Sequence, residues 1–155
     1  MQAAAPSPQP HTARRRWMAV LARASAEELA ALLDRHAVVP RYTRLRGPEA
    51  GLVMVRGRTG GGGAPFNIGE MTVTRCTVRT DAGQVGHAYV AGRDGRQAEL
   101  AAVVDAMLQD PLQAFALQAN VIAPLAEAQQ TRRTTIAAKA AATKVQFFAM
   151  RNMRA

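Results

Sequence analysis

The chain has 155 residues and a mass of 16.6 kDa, which is the size of one ordinary domain. It carries 20 basic and 11 acidic residues, a formal charge of +9 at pH 7, and 18 of the basic residues are arginine. A single cysteine excludes a disulfide framework and a thiolate metal cluster, and no apolar run approaches the ~18 residues of a membrane-spanning helix. The composition therefore predicts one globular domain in a reducing cytoplasm.

The N-terminal residues lack the pattern of a folded element. Residues 1–13 contain three prolines and no periodic apolar face, so we expect a disordered leader followed by a single domain over residues 14–155. The apolar stretch 17–22 follows three arginines, as in a secretory signal, but Arg23 interrupts it after about six residues. This stretch is therefore predicted to belong to the domain.

Two helices are predicted at the start of the domain. Apolar side chains recur at i, i+3, i+4 and i+7 from Trp17 to Ala24, which places them on one helical face. Ser25 and Glu28 have the spacing of a capping box and predict the start of a second helix, which ends before Pro40.

A block rich in Val, Thr and Tyr follows and predicts a sheet. Turn signals, including Gly47-Pro48, divide it into four predicted strands at residues 43–46, 52–58, 70–79 and 85–91. Short connections between these segments predict antiparallel hairpins. The apolar phase slips near Thr74, which leaves open either a bulge or a strand covered on both sides.

The C-terminal part returns to helical spacing. Five apolar residues share one face in the clearest predicted helix: Leu100, Val103, Val104, Met107 and Leu108. Beyond Pro111 a second apolar stripe consists of Leu112, Phe115, Ala119 and Ile122, and residues 125–142 are rich in Ala, Gln, Arg and Thr. The predicted fold class is α+β, with an antiparallel four-stranded sheet, N-terminal helices and a C-terminal helical segment.

The sequence contains no recognisable catalytic or metal-binding pattern. His87 is the one well-placed histidine, but it has no Cys, His or Asp at ligand spacing, and a packed or hydrogen-bonded residue is the more common role. A buried structural thiol is the favoured interpretation of Cys76. The glycines at 60–63 are interpreted as a hairpin tip or a partner-docking loop rather than a phosphate cradle, because the phosphate-binding pattern needs a lysine after the glycines and no lysine precedes residue 139.

The remaining candidates are arginines of the predicted strands. Arg56 and Arg58 share one sheet face, and if Arg75 lies opposite them, three guanidinium groups would face one anion, either a phosphate-bearing substrate or an acidic partner surface. With His87 and Arg93 they form the set of candidate substrate-binding or partner-docking residues. The alternative, that these are scattered charges facing solvent, stays open.

Several strings of this sequence resemble the PhnG family of phosphonate metabolism. They are residues 16–21 (RWMAVL), 51–58 (GLVMVRGR), 66–75 (FNIGEMTVTR), 86–94 (GHAYVAGRD) and 141–148 (AATKVQFF). Their order is that of the family, and the resemblance covers nearly everything after residue 14. The four successive glycines and the short tail after Met150 depart from the family pattern.

The resemblance implies a role in a multi-subunit enzyme. Members of the family are subunits of the carbon-phosphorus lyase core complex, together with the PhnH, PhnI and PhnJ subunits. The complex takes part in forming ribose 1-phosphonate 5-triphosphate from ATP and a phosphonate, with release of adenine. The resemblance implies that ATP is a substrate of the complex. We expect this chain to bind no cofactor of its own, and the single cysteine already favours a cytoplasmic location. It supplies no catalytic residue, and it leaves open whether the isolated chain has any activity.

Two other classes of function remain as alternatives. The sequence pI of about 11.3 favours a nucleic-acid-binding protein, although aromatic residues for base stacking are scarce. A free-standing phosphotransferase or nucleosidase would have to rely on His87 and Glu70. The subunit interpretation predicts that apolar, arginine-bearing surfaces of this chain are covered by other chains.

Overall fold

The computed structural model of the protein describes residues 10–58 and 63–145, with side chains from residue 12 onward. Helix α1 spans Pro10–Leu21, so it begins four residues before the predicted boundary at Arg14. Three segments lie outside the described residues: the rest of the predicted leader (1–9), residues 59–62, which include three of the four successive glycines, and the C-terminal residues 146–155. The division into leader and domain stays a prediction.

Helix α2 spans Ala26–His36 and begins at the predicted capping box. The Ser25 hydroxyl accepts a hydrogen bond from the Glu28 backbone amide at 3.1 Å, and the Glu28 carboxylate accepts one from the Ser25 amide at 2.9 Å. These bonds satisfy two of the amides that a helix N-terminus leaves without partners. The predicted helix start is confirmed.

The predicted four-stranded sheet is wrong, because the sheet has three antiparallel strands in the order β1-β2-β3. They are β1 (Tyr42–Gly57), β2 (Phe66–Thr80) and β3 (Val85–Ala91). The predicted first two strands are one strand, because Gly47 and Pro48 do not form a turn. They lie at a bulge, where the pairing with β2 shifts between Arg46 and Glu49. Proline is tolerated there because β1 is an edge strand and a bulged residue donates no ladder hydrogen bond.

The irregularity expected near Thr74 of β2 lies instead in β1, the strand that pairs with it. Between Arg44 and Glu49, β1 has two more residues than the facing segment of β2, whereas β2 pairs with β3 without a shift from Val73 to Arg79. On β2 the side chains of Val73 and Thr74 are both buried, although they point to opposite faces. The bulges therefore bend the edge strand and leave the central strand regular.

Helix α3 (Gly95–Met107) packs across one face of the sheet and forms the centre of the core. Its predicted apolar face is confirmed, and every residue from 101 to 108 is buried. Gly86 on β3 permits the close approach, because a Cβ there would collide with the Ala102 carbonyl oxygen and lie 2.6 Å from the Ala106 amide nitrogen. Small residues at this contact therefore set the spacing between helix and sheet.

The remaining chain is helical. Helix α4 (Pro111–Leu117), a π-helical turn (Gln118–Ile122) and α5 (Ala123–Ala142) follow α3. The apolar stripe predicted after Pro111 is wrong for Leu112 and Phe115, which are 92% and 85% exposed, and for the exposed Ala119, whereas its last residue, Ile122, is buried as predicted. The residues that join the core here are Leu117, Val121, Ile122 and Leu125. Helix α5 leaves the core after its second turn, and its residues from 130 onward are exposed.

The hairpin of β1 and β2 extends beyond the body of the domain. Strand β3 pairs with β2 only from Val73 to Arg79, so residues 52–57 and 66–72 form a two-stranded ribbon that has no third strand. We call these two segments the arm. The sequence did predict strands here, but it gave no indication that they project from the domain.

Candidate functional site

The sheet face opposite α3 carries most of the polar groups that sequence reasoning singled out. Side chains alternate along β2 and β3, so those of Arg75, Thr77, Arg79, His87 and Tyr89 share this face. Thr77 and His87 are direct neighbours, with 3.1 Å between the hydroxyl oxygen and Nδ1. We call this surface the open face, because no described helix packs over these side chains.

An ionic cluster lies where the arm joins the open face. The Glu49 carboxylate receives a hydrogen bond from Arg75 Nε at 2.6 Å and a second ionic contact from Arg46. Partial desolvation alone would raise the pKa of Glu49, but the hydrogen bond from Arg75 and the charge of Arg46 lower it below its usual value. The bulge creates this cluster, because it brings Arg46 and Glu49 to the same face of β1.

The structure separates the predicted arginine candidates into three places. Arg75 lies opposite Glu49 and Tyr89, not opposite Arg56 and Arg58. Arg56 pairs with Asn67 at the far end of the arm, seven residues along β1 from Glu49, which is ~23 Å at the usual rise of a strand. Arg58 follows the end of β1.

Arg75 and His87 are the two predicted candidates that the sheet does bring together. They occupy diagonal positions on the open face, where side chains lie within ~8 Å of one another. Arg93 is exposed in the turn between β3 and α3. The structure thus places a basic pair at the far end of the arm and a second basic group at its base.

A carboxylate that the sequence did not single out lies on the other face of the sheet. Glu99 on α3 binds Arg44 through two hydrogen bonds of 2.7 and 2.8 Å, and it accepts a third from the Tyr42 hydroxyl at 2.9 Å. Burial alone would raise the pKa of Glu99, but the hydrogen bonds from Arg44 and Tyr42 outweigh it and lower the pKa. This cluster fixes the start of β1 against α3.

A second missed residue is Asp105, which is fully buried in α3. Its carboxylate binds Arg14 at 3.1 and 2.6 Å, the Trp17 indole nitrogen at 2.8 Å and the His87 backbone amide at 2.9 Å. The sequence signal was available, because one aspartate interrupts the apolar run from Ala101 to Leu108. A buried charge requires partners, and these bonds connect α1, α3 and the outer edge of β3.

The surroundings of Cys76 are those of a structural thiol. Cys76 is buried with its thiol 3.5 Å from the Arg46 carbonyl oxygen, and burial raises the pKa of the thiol, as expected for an inert cysteine.

A cleft of about 220 Å³ lies between α1 and β3, lined in part by Met18, Ala22, His87 and Tyr89. Within residues 10–58 and 63–145, no group of three His, Cys, Asp or Glu side chains is placed to hold a metal ion.

The family assignment rests on sequence comparison. A family model described as "Phosphonate metabolism protein PhnG" matches residues 12–152. The chain belongs to the PhnG family. The chain is also similar to a curated protein of Rhizobium meliloti (strain 1021), the "Alpha-D-ribose 1-methylphosphonate 5-triphosphate synthase subunit PhnG". The two are 45% identical over 139 residues, which cover 88% of this chain and 87% of the relative.

Membership of the PhnG family confirms the resemblance found in the separated sequence strings. Those strings include both strands of the arm and all of β3 except its first residue, Val85. None of the described helices is both long and apolar enough to cross a membrane. The surfaces described above are therefore those of a PhnG-family protein, and the arm and the open face are its candidate functional surfaces.

Proposed function

We propose that the chain is the PhnG-type subunit of an enzyme complex that forms ribose 1-methylphosphonate 5-triphosphate from ATP and methylphosphonate. In this reaction a phosphonate oxygen bonds to C1 of the ribose, the bond from C1 to the adenine nitrogen breaks, and adenine leaves with a proton. The observation that carries the proposal is the 45% identity to a subunit of that synthase over 88% of this chain. The complex would act in the breakdown of organic phosphonates.

The exposed apolar groups of the arm support a role as a subunit. Four large apolar residues lie within a few residues of one another on the two strands of the arm, and each is between 47% and 64% exposed: Leu52, Met54, Phe66 and Ile68. Exposed apolar groups this closely spaced are typical of surfaces that other proteins cover. A chain that completes its burial in a complex would show such a surface.

The partners in this proposal are the PhnH, PhnI and PhnJ subunits, and the location is the cytoplasm. ATP would be a substrate of the complex, and this chain would bind no cofactor of its own. The candidate residues Arg56, Arg58, Arg75, His87 and Arg93 would contact either substrate or a partner subunit.

The test is co-expression of the chain with the three sister subunits. We expect the chain to co-purify with them in a fixed ratio, and we expect adenine release from ATP and methylphosphonate to require it. A complex that forms at full yield and releases adenine at the same rate without this chain would contradict the proposal. Adenine release by the purified chain alone would support the free-standing nucleosidase instead.

Two arginine variants separate substrate binding from docking. If Arg75 contacts substrate, Arg75→Ala lowers the rate of adenine release while the variant still enters the complex in the normal ratio. If Arg75 contacts a partner, incorporation and activity fall together. The same two outcomes distinguish substrate binding from docking for Arg58→Ala, beyond the far end of the arm. Arg35→Ala, on the exposed side of α2, is the matched control and should change neither incorporation nor activity.

A further inference from the structure

The arm is too small to be stable by its own contacts. It consists of residues 52–57 and 66–72, which pair with one another but with no third strand. An isolated two-stranded ribbon is at best marginally stable in water, because it has little opportunity to bury apolar side chains. The arm is attached to a well-packed body, which holds its base in place, but its own side chains remain uncovered.

One face of the arm continues the open face and is apolar. Val55 and Gly57 point to this face, and Phe66 lies opposite Gly57. Ile68 lies over Gly57, since a Cβ at Gly57 would collide with its Cδ1 atom. With Met71 these apolar side chains are between 39% and 60% exposed.

The other face of the arm is also apolar and exposed. Leu52 and Met54 point to the side on which α3 lies, but they are 64% and 58% exposed because α3 covers only the part of the sheet nearer the body. Their partners on β2 are Thr72 and Glu70. A flat partner surface could cover one face of this ribbon and would leave the other in water.

The exposed area is large enough for a specific interface. Together the six apolar side chains of the arm expose on the order of 600 Å², which approaches the ~800 Å² that each partner buries in a standard interface. Since this area is divided between two faces, a partner has to reach both sides of the ribbon to cover it.

The charges of the arm are concentrated at its far end. Arg56 is exposed there, and its guanidinium makes one long hydrogen bond of 3.4 Å, to the Pro65 carbonyl oxygen. Within the described residues, no carboxylate lies within 4 Å of the guanidinium groups of Arg56 and Arg58. Glu70 is the one acidic residue of the arm. A surface that receives the far end would have to be acidic to match it.

We propose that the arm inserts into a cleft of a sister subunit, with apolar walls that contact both faces of the ribbon and an acidic floor that meets Arg56. This proposal rests on the proposed function, because it takes the occupant to be a subunit of the same synthase. It adds the shape and the chemistry of the partner surface. Apolar walls match the two exposed faces, and carboxylates at the floor match the uncompensated guanidinium groups.

Two double variants test the two walls separately. Phe66→Ser with Met71→Ser alters the face that continues the open face, and Leu52→Ser with Met54→Ser alters the other. Each variant is co-expressed with the wild-type chain and the sister subunits, and the ratio of the two chains in the purified complex is measured by mass spectrometry. We expect each double variant to be depleted at least about tenfold, whereas the exposed control Arg35→Ser is incorporated equally.

The outcomes of this competition are distinct. Depletion of one double variant alone would indicate a flat interface and would overturn the cleft. Equal incorporation of both would overturn docking through the arm. If the wild-type chain itself does not enter a complex with the sister subunits, the proposed function fails, whereas normal wild-type assembly with unaffected variants overturns the arm proposal alone.

A cross-linking experiment covers the case in which a variant fails to fold. A photo-reactive phenylalanine analogue is placed at Phe66 in one chain and at Leu52 in another, and each assembled complex is irradiated. We expect both positions to cross-link to the same sister subunit. Cross-links to a second copy of this chain, or to two different subunits, would overturn the single cleft.

The acidic floor has its own test. Arg56→Glu should be depleted at least about tenfold in the same competition, and Arg56→Lys should be depleted less, because it retains the positive charge. If Arg56→Glu is incorporated normally but raises the KM of the complex for ATP, the far end of the arm meets the nucleotide rather than partner carboxylates. That result would overturn the acidic floor.

Discussion

The β1–β2 hairpin has a near half, which belongs to the body of the domain, and a far half, which is the arm. Both halves consist of strand-forming residues, but their surroundings differ. In the near half, β2 is paired on both sides and α3 covers it, so that Cys76 and Val78 are at most 1% exposed. In the far half, the same two strands carry Leu52, Met54 and Ile68 with more than half of each residue exposed. Strand propensity therefore does not distinguish core from interface, and the difference arises from what packs against the strands.

The edges of the sheet differ in the same way. The outer edge of β3 is covered by side chains, because Asp105 accepts from the His87 amide, and both Arg14 and Gln109 donate to the Val85 carbonyl. The base of β1 is instead protected by bulges and by Pro48, which discourage the addition of a further strand. Stability is concentrated in the body, and the arm is available for contacts with other chains.

The largest effect is expected from Asp105→Ala in the body. This change leaves Arg14, the Trp17 indole and the His87 amide without their shared acceptor, and removing one member of a buried ion pair costs about 3–5 kcal/mol. The free energy of unfolding is measured by urea denaturation of the purified chain. Asp81→Ala, at an exposed turn, is the control, and a loss below about 1 kcal/mol for Asp105→Ala would show that the network does not hold α1 to the sheet.

Two glycine substitutions compare the body directly with the arm. Gly86→Ala forces a Cβ against the backbone of α3, and we expect a loss of about 2–3 kcal/mol in the free energy of unfolding. Gly69→Ala lies in the arm, where nothing is within 4 Å of the added Cβ, and should leave stability nearly unchanged. Thermal unfolding of both variants checks this contrast, and equal losses would mean that the arm is packed as tightly as the body.

Glu99→Gln is expected to have a smaller, pH-dependent effect. The folded-state pKa of Glu99 lies below its usual value of 4.5, so its contribution to stability is present above about pH 4.5 and is lost as the pH falls through the folded-state pKa. Water screens the half-exposed Arg44, so we expect a loss of about 1 kcal/mol at pH 7. Unfolding curves at pH 7 and pH 3.5 should show a gap between wild type and variant that narrows at the lower pH. A gap that widens would contradict the lowered pKa.

Local sequence patterns predicted the elements that local chemistry determines. The capping box at Ser25, the bounds of β3 and the apolar face of α3 are all set by residues within a few positions of one another. The single strand β1 could not be predicted from local signals, because Gly47-Pro48 is typical of a turn and only pairing with β2 turns it into a bulge. Likewise, the separation of Arg75 from Arg56 depends on the register, which the sequence does not reveal.

The smallest effect is expected from Leu52→Thr in the arm of the isolated chain. Leu52 is 64% exposed, so the change removes little buried apolar area, and threonine suits a strand as well as leucine does. The free energy of unfolding should change by less than about 0.5 kcal/mol, since substitutions at exposed positions rarely do more. Assembly should respond more strongly than folding, because the cleft would cover this side chain in the complex. If the variant folds normally but is depleted from the complex in competition with the wild-type chain, the arm serves assembly and the near half of the hairpin serves folding. If the isolated variant loses stability, the arm is covered within its own chain.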